Sequence, residues 1–352
     1  MVSSPILAPA APPAPDPAGV AGVADRAGGT NPTGYLSEAY VQSLAEFGAP
    51  LALPRSGGWL LRRALTSGAA TGLSDAMGPY PLFCCRDWGA LADDLADLGA
   101  RGGRAGLTDT AEIPVSLVVV TDPFADPFAG PDGRGAAALA AAFPDRVAPF
   151  KEHFVADLSR PLASFVSAHH RRYALRDDVT VARCADPLAW LDDWCALYQN
   201  LCARHGIRGI AAMSRAAFAR QLAVPGLHAF RASVGGVTLG MVLWYRQGDV
   251  AYYHLAAYSD EGYRQRASFP LFWFGFQQLA AAGVGWASLG AGASSSQGTD
   301  GLVRFKRGWS TGTRPTYLCG RIFRPDVYAA LSRERGYETS RYFPAYRQGE
   351  LA

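Results

Sequence analysis

Lys306 stands inside Arg304-Phe305-Lys306-Arg307, in a sequence that otherwise meets its need for positive charge with arginine. Of 33 basic residues only Lys151 and Lys306 are lysine. A compact ammonium on a flexible stem and a planar guanidinium are not interchangeable, so a lysine kept among arginines marks a position where the ammonium itself is wanted. The alternative is a lysine retained without a role. A second feature lies upstream, where the strand-like run Val250–Tyr258 opens into Asp260-Glu261-Gly262-Tyr263-Arg264-Gln265-Arg266-Ala267-Ser268 and then a long apolar helix. A strand–turn–helix unit with basic residues at the turn suits an anionic group, because free backbone N–H groups and the helix dipole point there. An ordinary connection is the bland reading. His254 sits within the same strand among apolar neighbours, so it is either a proton-transfer group or a satisfied core histidine.

Several chemistries lack their residues. There is no phosphate-binding GxxxxGK[ST] loop, no GxGxxG after a strand, no HExxH and no GxSxG turn. The six histidines are not at metal-ligand spacing, and no metal is expected. The six cysteines form no CxxC pair; their apolar neighbours predict small buried hydrophobes.

The elements that must carry these residues follow from periodicity. Residues 35–47 have helical spacing; 51–53 and 59–65 form a hairpin around Ser56-Gly57-Gly58; a glycine-rich loop leads to Asp75-Ala76-Met77-Gly78-Pro79-Tyr80-Pro81. A helix is expected over 87–98, a buried strand over 115–120 and a loop over 122–135. Helices over 187–205 and 214–222 then precede a hairpin of 227–233 and 237–245, a strand over 250–258, a helix over 266–282 and a strand over 286–289. After a loop over 290–298 come a short helix at 300–307, a strand at 316–323 and a helix at 326–333. Helix, hairpin, strand, helix and strand recur in the same order, which predicts a diverged internal duplication.

Composition bounds the rest. Apolar residues make up 49% and charged residues 18% of the 352, as in globular proteins. No apolar run approaches the roughly 18 residues of a membrane span. The Pro/Ala/Gly-rich residues 1–32 read as a disordered leader, not a signal peptide, and a cytoplasmic protein is expected. Residues 1–200 carry 15 basic against 22 acidic side chains, whereas 201–352 carry 18 against 8. This asymmetry predicts an anionic ligand or partner on the second half.

The 260–268 segment resembles the pyrophosphate loop of the GNAT acyltransferase superfamily, with Gln265-Arg266-Ala267-Ser268 where that loop carries glycines. Over about residues 35–345 the chain resembles the Fem-type, tandem-GNAT branch. That branch includes aminoacyl-tRNA-dependent transferases of peptidoglycan bridges and the BioF2-like or CelD-like acetyltransferases. The resemblance is carried by Asp75–Tyr80, by Tyr253-His254-Leu255-x-Ala257, and most specifically by Asp300-Gly301-Leu302-Val303-Arg304-Phe305-Lys306-Arg307-Gly308-Trp309, which matches a Phe-Lys-x-x-aromatic box.

What the resemblance implies is an α/β protein of two tandem GNAT-like domains, 33–150 and 151–352. Each would hold its own mixed, mostly antiparallel sheet flanked by helices, with a splayed strand pair after Tyr258 and the reaction centre in the second domain. It places Lys306 near a transferred acyl carbonyl, as oxyanion donor or proton-transfer group, with His254, Asp75 and Asp300 as candidate bases. Asp75, Tyr80, Tyr258, Arg304, Phe305 and Trp309 would bind substrate, and Arg264, Arg266, Ser268 and Arg307 the donor phosphates. The donor would be aminoacyl-tRNA, engaged at its acceptor end, or alternatively acyl-CoA. No cofactor would be tightly bound, and the acceptor would be a small-molecule amine. A catalytically silent double-GNAT binding module is the reading from a different class.

Overall fold

A computed structural model of the chain describes residues 32–65, 72–100, 113–124, 134–176, 178–292 and 301–350. Among the described residues there are eleven strands: β1 (Ala49–Leu53), β2 (Gly58–Leu65), β3 (Leu73–Met77), β4 (Ser116–Val120), β5 (Arg146–Asp157), β6 (Thr180–Arg183), β7 (Leu227–Val234), β8 (Val237–Gln247), β9 (Val250–Tyr258), β10 (Trp286–Gly290) and β11 (Gly312–Ile322). The helices are α1 (Glu38–Ser43), α2 (Leu91–Ala100), α3 (Arg134–Ala142), α4 (Leu162–Phe165), α5 (Ala168–Ala174), α6 (Leu191–His205), α7 (Arg215–Leu222), α8 (Asp260–Arg264), α9 (Ser268–Ala281), α10 (Gly301–Arg307) and α11 (Pro325–Glu334).

All eleven strands form one sheet in the order β1-β2-β3-β4-β11-β5-β10-β9-β8-β7-β6. The expectation of two separate sheets is corrected by this. The reason is an exchange at the centre: β5 lies beside β10, β11 lies beside β4, and the two pair antiparallel with each other. On each side of that pair the pattern repeats, antiparallel strands (β1–β3 on one side, β6–β9 on the other) followed by a parallel pair, β3 with β4 and β9 with β10. Residue 150 falls inside β5, and no linker separates the halves there.

Both chain ends tie the halves together. Tyr35, Tyr40 and Leu44 near the start pack with Tyr245, Tyr252 and Trp194 of the second half, in a core that also takes Leu61, Met77 and Leu82. A second core lies under α9 on the opposite face, around Phe230, Trp244, Phe272, Phe276 and Trp309. A third holds α2 and α3 against β2 and β4. Among the described residues no helix is long and apolar enough to cross a membrane. Cys84, Cys85, Cys184 and Cys319 are buried, Cys195 and Cys202 partly so, and all six are free thiols.

Local departures have local causes. The first helical stretch divides into a 3-10 turn and α1, where the Ser37 hydroxyl caps Tyr40 N–H. Asp75 lies on a strand that runs through Met77 and pairs with β2 and β4. α2 begins at Leu91, because Asp87 spends its carboxylate on the N–H groups of Gly89 and Ala90. The strand β5 was not anticipated: Pro149 interrupts it, and the register shift against β11 between Thr316 and Tyr317 accommodates that proline.

Candidate functional site

The parallel pairing of β9 with β10 lasts only for Trp286–Ser288 against Val250–Tyr252. Beyond it β9 runs on to Tyr258, whereas β10 turns toward β5, opposing Gly290 to Phe154. A splayed pair results, opening before Tyr258, and backbone groups of 253–258 on that side face a gap between strands. Backbone donors at such a gap are a ready place for a developing oxyanion.

Lys306 lies at this gap. It is 5% exposed on α10, its Nζ donates to the Ala291 carbonyl at 2.5 Å, and it sits 5.4 Å from the Tyr253 ring centroid. Gly290 is left-handed (φ +71°), and a Cβ there would approach the Lys306 ammonium to 3.3 Å. The bare glycine is therefore what lets the lysine reach the strand end. α10 is positioned from below by α5. His170 Nε2–H donates to the Phe305 carbonyl (3.0 Å), which leaves Nδ1 to accept from the Ser167 hydroxyl (2.7 Å). Phe305 and Trp309 pack with Phe272 and Phe269, and Trp309 is wholly buried. Those two aromatics support Lys306 from the core and do not wall an acceptor pocket.

His153, which the sequence did not single out, feels the charge of Lys306. It precedes Gly290's partner Phe154 on β5, is 9% exposed, and has a buried Nδ1 without a hydrogen-bond partner among the described residues. Burial first, then the charges of Lys306 and Lys151, hold its pKa down to about 3. Both lysines of the chain thus act on one histidine. The signal was available in Lys151, two residues away.

His254 occupies the other face. Its Nδ1 meets the Tyr35 hydroxyl and its Nε2 the Gln221 side-chain oxygen, both at 3.1 Å, and the rings of Tyr35, Tyr40 and Tyr245 surround it. Burial holds its pKa down to about 3. It is the extra residue of a bulge, since Leu243 and Trp244 oppose Leu255 and Tyr253. With both nitrogens engaged it is a satisfied core histidine, a correction to its place among the candidate bases.

Asp75 is also spent. Fully buried on β3, it takes Arg63 at 3.1 and 3.2 Å, Arg347 at 2.9 and 3.1 Å, and the Tyr346 hydroxyl at 3.3 Å. Three strands separate β3 from β10, or roughly 19 Å at the usual spacing. Asp75 therefore clamps the C-terminal tail and does not touch substrate at the splay. Tyr80 is half-buried against the shared core, its carbonyl accepting from the Tyr40 hydroxyl. Asp300 lies outside the described residues.

The connection after β9 differs from an open phosphate-binding loop. Ser259 caps α8, its hydroxyl accepting from Gly262 N–H. The N–H groups of Tyr263, Gln265, Arg266, Ala267 and Phe269 all go to carbonyls within the same segment. Gly262 is needed because a Cβ there would lie 2.0 Å from the Leu239 carbonyl oxygen. Arg266 is left-handed (φ +55°) and stacks over Tyr173 at 4.0 Å. A cleft of about 300 Å³ lined by Tyr258, Gly262, Tyr263, Arg266, Ser268 and Phe269 remains outside this turn. Arg264 is exposed and paired with Glu261; Arg304 and Arg307 are exposed on α10. Among the described residues no group of His, Cys, Asp and Glu could hold a metal.

This sheet, with its splayed parallel pair and the helix crossing between the two strands, is a GNAT-like α/β arrangement. Residues 164–307 match the family model of the acetyltransferase (GNAT) domain. The match gives this part of the chain a GNAT-type acyltransferase domain. The fold of the chain is FemX-like: the FemX structure is 13% identical with a TM-score of 0.58, over 86% of this chain and 95% of that one. L-PGS from Bacillus licheniformis is 13% identical with a TM-score of 0.52, over 85% and 94%. The C-terminal DUF2156 domain of an Agrobacterium fabrum protein is 16% identical with a TM-score of 0.55, over 86% and 91%. At these identities the likeness is one of fold. No curated protein matches the sequence significantly.

Proposed function

We propose that the protein moves an aminoacyl group from aminoacyl-tRNA to the amine of a small-molecule or peptidoglycan-precursor acceptor, in the cytoplasm. The amine nitrogen attacks the ester carbonyl, the C–N bond forms, the C–O bond to the ribose breaks, and the ribose hydroxyl leaves with a proton. Lys306 at the end of β10 is the oxyanion donor in this reading, with backbone N–H groups of 253–258 beside it. A buried ammonium there strengthens as charge develops on the carbonyl oxygen.

The observation that carries the choice of donor is the closed turn after β9. Five of its N–H groups are bonded within the turn, so the cradle that would hold a pyrophosphate closely is filled. Exposed Arg264, Arg266, Arg304 and Arg307 suit an extended run of phosphates instead. The second reading, an acyl-CoA-dependent N-acyltransferase acting on an amino sugar or other metabolite, is favoured by the cleft beside Arg266 and Ser268. Donor affinity across a salt series separates them. For tRNA the slope is steep, and each arginine replaced flattens it by about one unit per phosphate contact. A shallow slope, sensitive only to Arg264 and Arg266, would favour the coenzyme.

A further inference from the structure

The last carbonyls of a helix lack a full turn of N–H groups after them. In α10 the Gly308 N–H is shared between the Arg304 and Phe305 carbonyls, at 3.2 Å each, and the start of α5 supplies what is missing. The His170 Nε2–H donates to the Phe305 carbonyl and the Ser167 N–H to the Gly308 carbonyl, both at 3.0 Å. Phe305 directly precedes Lys306 and Gly308 lies two positions beyond it, so the two bonds bracket the backbone from which the lysine springs. The Ser167 hydroxyl, 2.7 Å from Nδ1, completes the arrangement. By donating there it keeps the ring N–H on Nε2, facing Phe305.

The arrangement asks for particular residues. Gly308 has to be bare, because a Cβ there would fall 2.2–2.5 Å from the imidazole of His170. Phe269, Phe305 and Trp309 surround that ring, at 5.0, 5.6 and 5.2 Å between centroids. Contacts of that kind ask only for bulk; what the imidazole adds is its N–H. Burial first lowers its pKa, which keeps the ring neutral and its two nitrogens distinct. The lysine is held at its far end as well, where Nζ donates to the Ala291 carbonyl beside bare Gly290. That contact requires α10 to stop at a fixed height against the end of β10, and the bonds to Phe305 and Gly308 set the height.

We propose that His170, oriented by Ser167, is a positioning residue for Lys306: its N–H fixes the end of α10 so that the ammonium stands at the end of β10. The catalytic meaning of that position rests on the reading of Lys306 as oxyanion donor, but the position itself is measurable without any substrate.

Because the chain has only two lysines, isotopic nitrogen labelling of lysine in the full chain gives two Nζ signals by nuclear magnetic resonance, and Lys151→Arg leaves that of Lys306 alone. The Lys306 ammonium, buried and hydrogen-bonded, should exchange its protons more slowly than that of Lys151. In His170→Leu, which keeps the bulk but not the N–H, the Lys306 signal should shift and its exchange quicken on the order of tenfold, the scale of one hydrogen bond lost. His170→Gln, whose amide N–H reaches about as far as Nε2, should restore the signal. Where circular dichroism shows the Leu variant unfolded, His170→Asn, too short to reach the Phe305 carbonyl, takes its place. A Lys306 signal unchanged in the Leu or Asn variant, a Gln variant as perturbed as either, or wild-type exchange no slower at Lys306 than at Lys151 would overturn the proposal. A signal displaced as expected, with turnover surviving Lys306→Ala, would leave His170 its positioning role and count against Lys306 as oxyanion donor alone.

Discussion

Lys306 and His254 lie on opposite faces of the sheet, Lys306 over the Tyr253 ring at the end of β10 and His254 enclosed by Tyr35, Tyr40 and Tyr245. The two cannot act on one reacting group. Lys306→Ala should therefore leave folding intact and cut turnover by roughly 10²–10³-fold, the scale of one lost oxyanion donor. Lys306→Arg should rescue poorly, since a guanidinium does not fit where an ammonium meets Ala291 and Gly290. Near-normal turnover in the Arg variant would reduce the residue to a phosphate anchor.

Asp75 predicts a stability effect of another kind. Replacing it with Asn leaves Arg63 and Arg347 with only the half-exposed Glu350 as counter-ion, and breaking a buried ion pair from one side costs up to about 3–5 kcal/mol. Asp75→Asn should lower the melting temperature and expose the tail after Arg335 to limited proteolysis. An unchanged melting temperature and tail would refute the clamp.

The lysine was legible in the sequence because composition made it anomalous, and its helix because the Phe-Lys box is local. His153 was not legible. It sits on β5, which pairs with β11, and these central strands carry Pro149 and Pro315; a proline inside a run argues against strand. Their meeting depends on a pairing between residues more than 150 positions apart, which no local period reports. The same exchange explains why a repeat visible in element order did not give two sheets. Asp75 and His254 were misassigned for a related reason: polar residues flanked by apolar ones look alike whether they face a ligand or a buried partner.

Acid should weaken the fold through His153 and His254. Both are held near pKa 3 when folded, against 6.5 when free. Below about pH 6.5 the unfolded chain takes up protons that the folded one does not, so stability falls as pH drops toward 3. Each histidine contributes a slope of about 1.4 kcal/mol per pH unit. Urea midpoints at pH 7 and pH 5 measure it. His254→Gln should remove one of the two slopes while sparing activity per folded molecule; an unchanged slope would mean that His254 is protonated in the fold.

The central claim is tested most directly by following a radiolabelled aminoacyl group from charged tRNA to an amine acceptor, with and without prior RNase treatment, beside a parallel reaction with acyl-CoA. Label should appear in an RNase-resistant amide only when intact charged tRNA is supplied, and it should be lost with Lys306→Ala. Turnover that withstands RNase and runs on acyl-CoA would contradict the account.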